Sequence, residues 1–270
     1  MDDMYPLTVT DGLGRSFELR DAPRRIVSLV PSLTEWLFDL GLDEQIVGVT
    51  KFCVHPPEAR KNKRIVGGTK NVNLEVIRSL EPDLIVANRE ENDRDTIEQL
   101  MHWFPVYVSD IRNFDMAMRA LRDIGICCGH TAKAEALMQL IRRRFEHPLP
   151  VVRPSCIYLI WQDPFMTASS DTFIDDLLKR SGFEPIPFDG RGRYPELTEG
   201  DIASARPDCI LLSSEPYPFR ETHREQLQQT FPWANVLCVD GEMFSWYGSR
   251  MLKFEGWKYH HMVDNSTNPL

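Results

Sequence analysis

Long apolar runs are missing from this sequence: no stretch approaches the ~18 uninterrupted hydrophobic residues of a membrane-spanning helix, so no helical membrane span is expected. Positive charge is also in short supply, with 31 Lys and Arg against 40 Asp and Glu and a formal net charge of -9. A phosphate backbone is held mainly by cations that release its counterions, so nucleic acid is excluded as the expected partner. Catalytic signatures are absent too: there is no G-x-S-x-G elbow, no P-loop and no H-E-x-x-H, and Gly12-Leu13-Gly14 lacks the rest of a dinucleotide fingerprint. None of the six cysteines (Cys53, Cys127, Cys128, Cys156, Cys209 and Cys238) forms a C-x-x-C pair, which removes support for a zinc or thioredoxin-like site. Cys156, Cys209 and Cys238 lie in apolar strand-like runs and are expected to be small buried hydrophobes. The opening Met1-Asp2-Asp3-Met4-Tyr5-Pro6 has neither the basic nor the apolar region of a secretory signal. As written, the chain is expected to stay in the cytoplasm.

What is present is an α/β grammar. Hydrophobic residues at 42% and charged residues at 26% are ordinary for a globular chain, and 270 residues suffice for one large or two small domains. Arg25-Ile26-Val27-Ser28-Leu29-Val30 reads as a buried strand. After Pro31, Ser32-Leu33-Thr34-Glu35 has the form of a capping box, and Leu33, Trp36, Leu37 and Leu40 follow at helical spacing before Gly41. Strand Ile46–Val49 leads into a loop carrying Phe52 and His55. Asn73 is placed to cap a helix that ends before Pro82, ahead of the strand 83–87. A helix from Asp93 to Trp103 and a strand from Pro105 to Val108 extend the alternation, which predicts a mainly parallel sheet.

From Thr131 to Glu146, Ala134, Leu137, Met138, Ile141 and Phe145 share one helical face about 24 Å long, stopped by Pro148, Pro150 and Pro154. A fresh strand follows at Cys156–Ile160, and the second half then repeats the first. Leu74-Glu75-Val76-Ile77 leads to Glu81-Pro82-Asp83-Leu84-Ile85, as Glu199-Gly200-Asp201-Ile202 leads to Arg206-Pro207-Asp208-Cys209-Ile210. Ile77 and Ile202 stand equally far before their prolines. The expected organisation is two Rossmann-like α/β lobes, residues 1–128 and 151–270, joined by a long backbone helix over 129–150.

With those segments in hand, the chain resembles the helical-backbone metal receptors, the class of periplasmic binding proteins that deliver cobalamin, haem or ferric siderophores to ABC importers. The likeness rests on 10–15 (Thr-Asp-Gly-Leu-Gly-Arg), on 23–29 (Pro-Arg-Arg-Ile-Val-Ser-Leu) with 31–35, on 46–49, and on Asn73-Leu74-Glu75 with 81–86. The resemblance implies a substrate-binding protein rather than an enzyme, with a metal chelate (corrinoid, haem or ferric siderophore) held between its lobes, no resident cofactor and an ABC permease as partner. It also implies a periplasmic or cell-surface location, at odds with the missing signal. An acidic residue on each lobe would dock the permease: Glu75 matches the first, while Gly200 stands where the second should be, leaving Glu199 or Asp201.

Loops at strand ends are where that resemblance puts the ligand, and Phe52, His55, Trp161, Tyr194, Trp246, Tyr247 and Arg250 are the candidates. Aromatic rings offer rigid apolar faces to a flat chelate, and an arginine pairs with its carboxylates or phosphate. The segment 244–250 (Phe-Ser-Trp-Tyr-Gly-Ser-Arg) is the densest such cluster. Loops 67–71 and 88–92 are polar where cobalamin binders place tryptophans, which favours an anionic chelate or a polar corrinoid precursor. The adjacent His260 and His261 are expected to be solvated, and His55 beside Pro56-Pro57 is expected to mark a turn. The competing reading is a cytosolic enzyme or sensor handling a tetrapyrrole or metal chelate on the same fold.

Overall fold

The computed structural model describes residues 4–146, 148–256 and 258–259, so His260 and His261 lie outside the described residues. The chain divides into two compact units. Unit 1 comprises the chain up to Ile111, Asp115–Arg143 and Tyr247–Leu252; unit 2 comprises Arg112–Phe114, Arg144–Trp246 and the chain from Lys253 on.

Unit 1 opens with the antiparallel pair β1 (Leu7–Thr10) and β2 (Ser16–Leu19). Strand β3 (Ile26–Ser28) then feeds α1 (Pro31–Asp39), followed by β4 (Ile46–Val49), α2 (Pro57–Asn62), β5 (Arg64–Ile65), α3 (Leu74–Ser79), β6 (Leu84–Asn88), α4 (Arg94–Met101) and β7 (Val106–Ser109). Its main sheet runs β5-β4-β3-β6-β7, parallel throughout, as alternating strands and helices require. Val27, Ile85, Ala87, Ile77 and Leu100 are buried together in its core.

Two details of unit 1 depart from the sequence expectation. The capping box does not form: α1 begins at Pro31, Val30 is its N-cap, and no side chain caps it. Proline is at home at the first helical position, where its missing N–H would have no intrahelical acceptor. Starting there moves Ser32 inside the helix and releases Glu35 for another partner. The Asn73 cap does form, its side chain accepting from the Val76 N–H. The other departure is α5 (Phe114–Cys127), a helix that the sequence reading passed over, directly before α6 (Thr131–Arg144).

Unit 2 contains β8 (Ser155–Trp161), β9 (Phe165–Thr167), α7 (Phe173–Arg180), β10 (Glu184–Pro185), β11 (Glu196–Leu197), α8 (Glu199–Ala205), β12 (Cys209–Ser213), α9 (Glu221–Thr230), β13 (Asn235–Val239) and α10 (Gly241–Ser245), followed by a 3-10 turn over Ser249–Lys253. Its sheet is ordered β11-β9-β8-β12-β13, with β10 beside the start of β8. The β8-β12-β13 core is parallel, whereas β9 and β11 run antiparallel at one edge. Ile157, Ile202, Ile210, Leu212 and Val236 pack in its core. Ile77 and Ile202, matched by the internal repeat, are each fully buried in their own unit. Cys156 and Cys209 are buried as expected, but Cys238 is exposed near the end of β13, the edge strand, on the same face as buried Val236.

Candidate functional site

In an open parallel sheet, ligands meet the carboxyl ends of the strands where successive connections leave in opposite directions. In unit 1 that point lies between β3, whose connection leads to β4, and β6, whose connection leads to β7. Two asparagines organise it. Buried Asn92 donates from Nδ2 to the carbonyls of Leu29 (3.1 Å) and Thr69 (3.0 Å), and its Oδ1 accepts from the Asn88 N–H at 2.8 Å. Asn88 Oδ1 accepts from the N–H groups of Glu90 (2.8 Å) and Glu91 (3.1 Å), while its Nδ2 donates to Ser109 Oγ at 3.0 Å. Lys70 Nζ donates to the Glu90 carbonyl. The polarity of loops 67–71 and 88–92 is thus largely used to hold one loop to the other.

The loop after β4 carries two of the predicted site residues. Phe52 is 49% exposed, and Lys51 Nζ sits 5.0 Å from its ring centroid. His55 is half-buried at the turn before α2. Between them Cys53 is buried, with the hydroxyls of Thr34 and Thr50 at 3.1 and 3.2 Å from Sγ; burial pushes the thiol pKa up, against those hydroxyls.

The aromatic cluster at 244–250 is buried rather than open. Tyr247 and Arg250 belong to unit 1. The Tyr247 hydroxyl donates to Glu91 Oε1 at 2.9 Å, and burial, reinforced by that carboxylate, raises its pKa well above the usual phenol value. Arg250 grips Glu35 through Nε at 3.1 Å and Nη2 at 3.0 Å. Gly248 lies between them at φ +96°, a backbone conformation that side chains disfavour, with the Ser32 carbonyl 3.2 Å from where a Cβ would stand. In unit 2, Trp246 is 8% exposed and donates its indole N–H to Glu215 Oε1 at 2.9 Å. Ser245 Oγ donates to the same oxygen at 2.5 Å. Burial raises the Glu215 pKa, opposed by these two donors. Glu35, Glu91 and Glu215 are the partners that sequence reasoning missed, since nothing local ties them to residues so distant in the chain.

The carboxyl edge of the unit 2 sheet presents open aromatic surface. Trp161, at the end of β8, is 41% exposed, and its ring meets Tyr217 edge-on at 5.6 Å. Tyr217 packs on Phe219 at 4.7 Å, and its hydroxyl lies 3.4 Å from His223 Nε2. The proline-bracketed run 215–219 (Glu-Pro-Tyr-Pro-Phe), directly after the strand 209–213, was the available signal for this group. Tyr194 is exposed in the loop before β11, with the Arg193 guanidinium 5.9 Å from its ring; Arg193 Nε donates to the Asp171 carbonyl at 2.7 Å.

Of the predicted docking acids, Glu75 is exposed in the first turn of α3 and Glu199 is exposed at the start of α8. Asp201 is engaged: it forms a capping box with Thr198 and an ion pair with Arg191 at 2.8 Å. The hydrogen bond from Arg191, then those from Thr198, hold its carboxyl well below the usual range. Among the described residues no three His, Cys, Asp or Glu side chains cluster to hold a metal ion, and no helix is long and apolar enough to cross a membrane.

Comparison with known proteins gives these observations a context. The family model described as periplasmic binding protein matches residues 26–239. A vitamin B12-binding protein of Pectobacterium atrosepticum is 27% identical over 241 residues, covering 85% of this chain and 85% of its own. An uncharacterized ABC transporter substrate-binding lipoprotein of Bacillus subtilis is 28% identical over 223 residues, covering 78% of this chain and 70% of its own. A periplasmic heme binding protein from Pseudomonas aeruginosa shares the fold with a TM-score of 0.75 at 21% identity, over 92% of this chain and 95% of its own.

Proposed function

The chain belongs to the periplasmic binding protein family, and on that premise we propose that it is the substrate-binding component of an ABC-type importer, with a metal chelate as its cargo. Membership in a family of binding proteins sets aside the enzyme reading. The observation that carries the choice of ligand is the open aromatic surface at the carboxyl edges of the sheets: Phe52 in unit 1, and Trp161 with Tyr217 behind it in unit 2. Exposed rings in fixed loops present flat apolar faces, which suit a macrocycle or a catecholate, and the relatives named for vitamin B12 and heme are consistent with that chemistry. Tyr194, with a cation beside its ring, and half-buried His55 extend the contact set. In this reading Trp246, Tyr247 and Arg250 support the ligand loops through their carboxylate partners. The metal arrives inside the chelate, with no resident cofactor.

Native mass spectrometry with cobalamin, cobinamide, haem and several ferric siderophores tests the proposal. One unaltered chelate retained at a ratio of one to one is expected. No adduct, or a chemically altered one, would overturn it.

For the transport partner, Glu75 and Glu199 are the acids exposed to meet a permease, Asp201 being paired already. A photo-cross-linker at E75C or E199C should capture a multi-span membrane protein in cells that express the transporter. Capture of soluble proteins alone would reject the docking role.

A further inference from the structure

A cavity of about 720 Å³ opens within unit 1; Asn88 and Asn92 of the loop clamp are in its wall, whereas none of Phe52, His55, Tyr247 or Arg250 lines it. Its volume is in the range of small-molecule sites, roughly 300 to 1,000 Å³. The floor is apolar: Ile97 and Met101 come from one face of α4, Val108 from β7, and Leu13 from the turn between β1 and β2. That turn is fixed to β7, since the Gly12 N–H donates to the Val108 carbonyl at 2.9 Å. Around the floor stand three arginines: Arg15, Arg89 and Arg94.

We propose that this groove binds a small amphipathic carboxylate, its apolar body on Ile97, Met101 and Val108 and its carboxylate on Arg15. Each arginine already has one acid, Arg15 with Asp11, Arg89 with Asp110 and Arg94 with Glu98, so net charge alone does not hold an anion here; the apolar floor favours an amphipathic ligand over a hydrophilic anion such as phosphate. Arg15 nevertheless keeps donors without an oxygen acceptor. Its Nη2 bonds Asp11 and its Nη1 rests on the thioether of Met101, a weak acceptor, while its buried Nε has no acceptor among the described residues. A carboxylate in the groove gives these donors an oxygen, a charge-assisted contact stronger than a neutral one. Arg89 and Arg94 use one nitrogen each on their acids, Nη1 and Nε, and keep further N–H groups at the rim.

Octanoate, octanol and acetate are the probes, titrated calorimetrically into the full chain. Octanoate is expected to bind at one to one, octanol at least tenfold more weakly and acetate not measurably. R15M should weaken octanoate at least fivefold while the chelate adducts stay unchanged. I97W, which fills the groove and leaves Arg15 intact, should abolish octanoate binding. Should R15M fail to fold, R94A at the exposed rim serves in its place, with a loss of at least twofold expected. Equal affinity for octanol and octanoate, no octanoate binding at 1 mM, or unchanged binding in I97W would each overturn the site, whatever the outcome for the chelate.

Discussion

Arg250 and Glu35, 215 residues apart in sequence, form a two-point ion pair within unit 1, with side chains only 12% and 10% exposed. A charge so placed is committed to its partner, because removing one member leaves the other buried and uncompensated. R250A is therefore expected to lower stability by about 3 kcal/mol in urea unfolding. The double replacement R250M/E35L should recover most of that loss, since a buried ion pair is often replaced by apolar residues at little net cost. A loss below about 1 kcal/mol in R250A, the size typical of a surface pair, would show that the pair is solvated in solution.

Ligand affinity should respond instead to the open rings. W161A and F52A are each expected to weaken the retained chelate at least tenfold, about 1.4 kcal/mol, with little change in stability because both rings are substantially exposed. W161F should keep much of the affinity by retaining an aromatic face. Fluorescence quenching titrations with the chelate found by mass spectrometry would measure this. Unchanged affinity in both alanine variants would remove these residues from the site.

How far the sequence could be read follows from the range of each interaction. The unit from β3 to α1 and the Asn73 cap were legible because the residues that make them are neighbours, and strand and helix periodicities mark them directly. The repeat around Ile77 and Ile202 was legible because proline and burial leave the same local trace twice. The start of α1 was misread because two rules competed for it, and Pro31 at the first helical position prevailed over Ser32 as cap. The α5 helix was passed over although Ala117, Leu121, Ile124 and Cys127 recur on one buried face. Nothing local reports that Tyr247 bonds Glu91 across 156 residues, or that Trp246 bonds Glu215. The sequence located an unusual aromatic cluster; its burial is a tertiary fact.

Glu215 gives a pH dependence of definite sign. Burial, its largest influence, raises its folded pKa above the unfolded value near 4.5. The folded state therefore binds more protons than the unfolded state between those two pKa values, so this group's contribution to stability is complete below about pH 4.5 and is lost as pH rises through the folded pKa. E215Q keeps an oxygen to accept from Ser245 and Trp246 but cannot ionise. Its stability relative to the parent should rise between pH 4.5 and 8 in urea melts. A difference that stays flat, or falls, over that range would contradict the shift.

Asn92 is the other determinant of the ligand loops, because one side chain closes three hydrogen bonds, two of them to separate segments and one within its own loop. N92A removes the donor to the Leu29 and Thr69 carbonyls and the acceptor for the Asn88 N–H, all in a residue only 4% exposed. Buried polar groups left unsatisfied cost about 1–3 kcal/mol each, and water entering the truncated site recovers part of that, so a net loss of about 3 kcal/mol is expected. N92D offers the same oxygen to Asn88 but turns an acceptor-only oxygen onto the two carbonyls in a buried site, and should lose at least as much as N92A. Hydrogen exchange distinguishes a local clamp from a general core contact: protection should fall first at 67–71 and 88–92, with β3 and β6 retaining theirs. Uniform loss across unit 1 would make Asn92 a core residue with no special hold on these loops. If the loops alone loosen, chelate affinity should fall with them, because their ordering would then have to be supplied on binding.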